Sequence, residues 1–125
     1  MADVGFYALN ADIIAKAGAN ASAVSKAAAW TDAIVHNVEA EINVSARRVF
    51  ATSRAGFLAL PADTQALLTD LCANLCAIYV ISYDLSGYNS RVEAEDMINI
   101  LRDAALRQIA LIREKKDQDF LIAGA

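Results

Sequence analysis

Residues 61–116 read PADTQALLTDLCANLCAIYVISYDLSGYNSRVEAEDMINILRDAALRQIALIREKK, two long helical runs joined by a turn. Pro61 suits a first helical turn, where its missing N–H would have had no partner and its φ is already helical. Beyond it, Leu68, Leu71, Cys72, Leu75 and Tyr79 recur on one face at helical spacing, while Ala73 and Ala77 form a second face that admits another helix closely. A helix apolar on two sides is expected to be covered on both. The uncharged interval from Leu71 to Tyr83 is too short to cross a bilayer, so the run reads as a core helix. The turn Tyr83-Asp84-Leu85-Ser86-Gly87-Tyr88-Asn89 contains two residues that tolerate positive φ, Gly87 and Asn89. Ser90-Arg91-Val92-Glu93 then has the form of a capping box. Glu93, Glu95 and Asp96 open the second run and Arg113, Lys115 and Lys116 close it, the order that the helix dipole favours. Its inward stripe is Ala94, Met97, Ile98, Leu101, Ala105 and Ile112, with Asp103 and Arg107 spaced to pair outside. A short turn between long helices predicts antiparallel neighbours.

At 125 residues, one domain with its own core is expected. Abundant alanine, one proline, five glycines and no sustained β-alternation predict an all-α fold. The expected architecture is a small helical bundle built on the long antiparallel hairpin, with extended N- and C-terminal arms: residues 1–9, a helical core over 10–117, and residues 118–125. A net charge of −4 argues against a dedicated nucleic-acid binder while leaving room for a local basic patch. Cys72 and Cys76, one helical turn apart, are poorly placed for an intrahelical disulfide. They read as reduced packing residues of an intracellular protein. Met1–Val4 has no basic start leading into an apolar core, so no export signal is expected.

Before this hairpin the signals are weaker. Val4, Phe6 and Tyr7 in the N-terminal arm need a surface to cover them, in this chain or another. Asn10 is placed to cap a short helix over 11–17, with Gly18 as its stop. Asn20-Ala21-Ser22 opens a helix expected to run to about Asn43, with Trp30, Ile34, Val35, Val38 and Ile42 inward and Trp30 as the largest anchor. Between Ile42 and Ala62 there is no acidic residue, yet Arg47, Arg48 and Arg54 all fall there. Ser53, Gly56 and Pro61 punctuate this basic connector, residues 43–60, which reads as a broken helix or packed loop. The three arginines form a candidate contact patch. The segment reads as a solvated connector or a protein contact surface, with a phosphate-contacting loop as the sharper alternative.

No residue pattern points to catalysis. His36 is the only histidine; with Glu39 it forms half of a metal-binding helix pattern, and a carboxylate-bridged di-iron bundle needs two such helices and further glutamates. Cys72 and Cys76 would give two zinc ligands where a closed site needs four. A Cys–His nucleophilic pair has the right residue types and no further support. Gly5, Gly18, Gly56, Gly87 and Gly124 match no phosphate-binding loop. The chain is therefore expected to be no enzyme and to need no cofactor and no metal.

What remains is apolar surface. Leu106 falls on the side of the last helix marked by Arg102, Asp103 and Arg113. After Lys115-Lys116-Asp117-Gln118-Asp119 the chain ends Phe120-Leu121-Ile122-Ala123-Gly124-Ala125. Such a segment either folds back on its own core or inserts into a partner.

The stretch Ala73-Asn74-Leu75-Cys76-Ala77-Ile78-Tyr79-Val80-Ile81-Ser82-Tyr83-Asp84-Leu85-Ser86-Gly87-Tyr88, followed by Ser90-Arg91-Val92-Glu93-Ala94-Glu95-Asp96-Met97-Ile98, resembles the head-to-tail connector, or adaptor, proteins of tailed bacteriophages. The resemblance covers about half of the chain; the front half carries no motif of that group. It implies a structural virion protein of the phage neck, assembled in the host cytoplasm. Its partners would be other copies of itself in a ring, usually of twelve, the portal protein beneath which the ring docks, and tail or other neck proteins. DNA would only pass through the channel, and no membrane would be involved. Insertion into the portal would fall on Phe120, Leu121, Ile122, Ala123, Gly124 and Ala125. A helical regulatory or DNA-associated protein, resting on Arg47, Arg48 and Arg54, is the alternative.

Overall fold

The computed structural model describes residues 5–18, 28–47, 49–83 and 91–113. Five helices account for most of them: α1 (Asn10–Ala17), α2 (Ala28–Ala46), α3 (Arg54–Leu58), α4 (Ala62–Tyr83) and α5 (Arg91–Arg113). The fold is all-α. The proposed helix opening at Asn20, the turn around Gly87, the Ser90 end of the capping box, Arg48 and the C-terminal arm all lie outside the described residues.

The middle of the bundle is α4. Leu68, Leu71, Cys72, Ala73, Cys76, Ala77, Val80 and Ile81 are all buried, which takes up the two apolar faces and the arc between them. A helix apolar over so wide an arc needs several neighbours, and α1, α2 and α5 all pack on it, α5 most extensively. Ala62–Ser82 is long and apolar enough to cross a bilayer by length and composition, and 56% of that stretch is buried inside the structure. The described helices thus form a bundle in which α4 is the shared partner. Each fully buried leucine or isoleucine contributes about 2 kcal/mol. Tyr79, expected on the inward face, is instead 47% exposed, as the core stripe drifts round the helix onto Val80 and Ile81.

On α5 the expected stripe is the packed one: Ala94, Ala105 and Ile112 are buried, and Met97, Ile98 and Leu101 pack against the core. Asp103 and Arg107 are exposed but form no ion pair with each other. On α2, Val35, Val38 and Ile42 are buried, whereas Trp30 and Ile34 are only partly so. The largest core anchors are Tyr7 and Phe57, not Trp30.

Among the described residues, two helix ends carry a residue at positive φ. Gly18 ends α1 at φ 84°, its N–H bonded to the Ile14 carbonyl at 3.1 Å, as glycine allows without strain. Arg47 ends α2 at φ 57°, an unusual conformation for a long side chain. The basic connector is a packed turn around α3. Ser53 Oγ accepts from Gly56 N–H at 3.0 Å as its N-cap. Gln65 donates to the carbonyls of Leu58 and Leu60 at 3.0 and 2.8 Å, closing the other end. Asn10 does not cap α1. It is the first helical residue, and its side chain crosses to α2, accepting from Thr31 Oγ1 at 2.9 Å and donating to Asp32 Oδ1 at 3.2 Å. Asp12 Oδ2 serves the helix start instead, accepting the Leu9 N–H at 2.9 Å.

Gly5–Leu9, the described part of the N-terminal arm, is non-helical and runs through this chain's own core. Tyr7 and Ala8 are buried beside Ile13 and Val35. A Cβ on Gly5 would stand 2.2 Å from the Ala8 carbonyl oxygen and 2.9 Å from Val35 Cγ2. Gly5→Ala is therefore expected to destabilise the protein by roughly 2 kcal/mol, read as a lower urea midpoint at unchanged m-value.

Candidate functional site

Arg47 is exposed at the end of α2, Arg48 lies outside the described residues, and Arg54 is turned inward. The Arg54 guanidinium donates from Nη1 to the Phe6 carbonyl at 2.9 Å and lies 5.0 Å from the Phe57 ring centroid, a cation–π contact. Arg54 thus belongs to the core boundary. The terminal candidates Phe120–Ala125 lie outside the described residues.

Cys72 and Cys76 are free and buried. The Cys76 thiol beside it and its burial push the Cys72 thiol well above its ordinary value, so at neutral pH it is a protonated packing group. No cluster of three or more potential metal ligands occurs among the described residues. His36 and Glu39 do meet, Nδ1 to Oε1 at 3.1 Å, but the carboxylate has another task. Glu39 is 4% exposed, and its Oε2 accepts the main-chain N–H groups of Phe6 and, at 2.8 Å, Tyr7. The Phe6 ring meets His36 edge-on at 5.3 Å.

Around this carboxylate the N-terminal segment is held on every side. Thr69 Oγ1 donates to the Tyr7 carbonyl at 2.7 Å. The Tyr7 hydroxyl donates to Asn43 Oδ1 at 2.6 Å and accepts from Phe50 N–H at 3.3 Å, while its ring packs on Phe57 at 5.7 Å. Burial raises the Tyr7 hydroxyl above its ordinary value, the charge of Glu39 adding to it against the lowering effect of the hydrogen bonds; the phenol stays a donor at neutral pH. Sequence reasoning placed Tyr7 as needing a surface and Glu39 as half a metal pattern, and gave no sign that the two form one site.

A second polar knot lies where α1, α4 and α5 meet. Asp70 pairs with Lys16 of α1 and accepts from Gln108 of α5 at 2.6 Å and from Asn74, one turn along α4, at 3.3 Å. Asn74 also donates to Gln108 at 3.1 Å. Burial opposes the ionised carboxylate, but the bonds from Lys16, Gln108 and Asn74 and the Lys16 charge outweigh it, so the Asp70 carboxyl sits below its usual value. Open grooves flank Asp70: one of about 340 Å³ beside Lys16 and Thr69, the other of about 590 Å³ lined by Leu67, Ala104, Arg107 and Leu111.

The outside of α5 carries unburied apolar side chains: Val92, Ile100, Leu106 and Leu111 are 64, 68, 57 and 49% exposed. Leu106 is on the outside as its sequence position implied. Val44, Val49 and Leu58, around the turn that contains Arg47, are also exposed.

Two outcomes are expected. Glu39→Ala strands the N–H groups of Phe6 and Tyr7 and is expected to cost roughly 3 kcal/mol or more, seen as a lower urea midpoint and faster amide exchange at residues 6 and 7. For Asp70, whose folded-state value is depressed, the contribution is present above the ordinary value of 3.8 and lost as pH falls through the folded-state value. Stability should therefore fall below about pH 4 more steeply in the wild type than in Asp70→Asn, measured by urea titrations from pH 6 to pH 2.

Comparison with protein-family models, with curated proteins and with solved structures finds no match to this chain.

Proposed function

We propose that this chain is a structural assembly protein of a phage neck: an adaptor that forms a ring, docks on the portal and links the filled head to the tail. The observation that carries the reading is the outer side of α5, where Val92, Ile100, Leu106 and Leu111 remain exposed although the opposite side of the same helix packs on the core. Single exposed leucines mean little, but repeated apolar side chains on one helix offer another chain something to bury. The resemblance of residues 73–98 to the connector group supports the same reading, and the apolar sequence Phe120–Ala125 supplies a second contact. Copies joined through unlike surfaces close into a ring, and many weak contacts then add through multivalency. In the assembled ring the acidic chain lines a channel that repels phosphate and lets DNA slide without gripping it.

A helical regulatory or DNA-associated role is the second reading. It rests on exposed Arg47 and on Arg48, with Arg54 already engaged by Phe6. Changing all three to alanine and titrating DNA binding against salt tests it; an affinity that does not move rejects it.

For the adaptor reading, the full chain mixed with portal rings is expected to co-sediment and to appear as an added ring by electron microscopy. Deleting Phe120–Ala125 should abolish portal binding while leaving helicity by circular dichroism unchanged. Ile100→Glu with Leu106→Glu should prevent ring closure. Portal binding that survives the deletion would remove the tail from the mechanism, and rings that survive the double substitution would remove α5.

A further inference from the structure

A buried backbone normally finds its hydrogen bonds within a helix or a sheet. The N-terminal segment does neither at Phe6 and Tyr7. Their two N–H groups go to Glu39 of α2, the Phe6 carbonyl to Arg54 of α3, and the Tyr7 carbonyl to Thr69 of α4, across sequence separations of 33, 32, 48 and 62 residues. All four bonds are made by side chains, Glu39 taking two of them. The Tyr7 side chain fills a closed recess, its hydroxyl at Asn43 and its ring on Phe57, and Gly5 lies where no Cβ fits.

This is how a protein grips a bound peptide: main-chain groups held by side chains of the receptor, and one deep pocket that selects an aromatic residue. We infer that α2, α3 and α4 form a peptide-binding cleft for a bent segment of the pattern Gly-Phe-Tyr-Ala, filled here by residues 5–8 of the same chain and able to take the same segment from a second copy. None of the four hydrogen bonds at Phe6 and Tyr7 involves a residue of α1. Exchange of an identical element between copies keeps every contact and adds no new interface that must be optimised. In the isolated chain the attached segment wins because its effective concentration is in the millimolar range or above. The described segment is short and non-helical, so few residues must be reordered for it to leave. The cleft does not depend on the phage reading, and failure of portal binding would leave it untouched.

The test weakens the attached segment in the full-length chain and supplies the segment separately. The host is the Tyr7→Ala chain, and the probe is a fluorescein-labelled peptide of residues 3–10. Saturable binding is expected, with a rise in Tm of about 5 °C or more at saturating peptide. The peptide carrying Tyr7→Ala should not bind, and adding Glu39→Gln to the host should weaken binding about tenfold. Gly5→Ala, which keeps the side chains that bond Phe6 and Tyr7 and crowds the attached segment against Ala8 and Val35, serves as a second host. Should Tyr7→Ala not fold alone, peptide present during refolding is expected to restore its helicity. The inference is overturned if neither host responds to the wild-type peptide, if the altered peptide acts equally, or if Glu39→Gln leaves the affinity unchanged.

Discussion

The structure depends on covering α4. Its apolar residues occupy too wide an arc for any single partner, so α1, α2 and α5 must share the task. A single contact surface would leave Val80 and Ile81, or Ala73 and Ala77, in water at a cost of order a kilocalorie or more for each large side chain. The small residues on one arc let a neighbour approach closely, and the large ones on the other supply area. This explains why α1, only eight residues long and marginal in isolation, is ordered: it closes part of the α4 surface and is stopped cleanly by Gly18.

Burial is non-directional and does not choose a register. That role falls to two carboxylates. Glu39 fixes where the N-terminal segment crosses α2, because displacing it would strand two main-chain donors. Asp70, with Lys16, Asn74 and Gln108, fixes α1 and α5 against α4. The two differ in exposure. Glu39 is enclosed and its loss leaves buried groups unpaired, whereas Asp70 and Lys16 have side chains 39 and 38% exposed, and solvent screening limits the stability that their pairing supplies.

The same economy shapes the surface. Folding consumes the apolar groups of α4 and the inner stripe of α5, and it leaves Val92, Ile100, Leu106 and Leu111 outside. The assembly proposed through those groups and the proposed exchange at Tyr7 involve different residues of the molecule. Chemistry at the cysteines fits poorly with their burial and with the raised Cys72 thiol.

Periodicity alone determined the all-α class, α4 as a core helix, the inner stripe of α5, and Gly18 as the end of α1, because each of these depends on residues within a few turns of one another. It also placed Leu106 outside. Tertiary structure decided what involves distant residues: that Tyr7 and Phe57, not Trp30, anchor the core, that Asn10 reaches α2 in place of capping its own helix, and that Arg54 turns inward to the Phe6 carbonyl. The site built on Glu39 was hidden for the same reason. A carboxylate three residues from a histidine looks like a local pair, while its bonds to residues 6 and 7 form only when α2 and the N-terminal segment are brought together, and hydrophobic spacing carries no information about which main-chain donors a buried acid will meet.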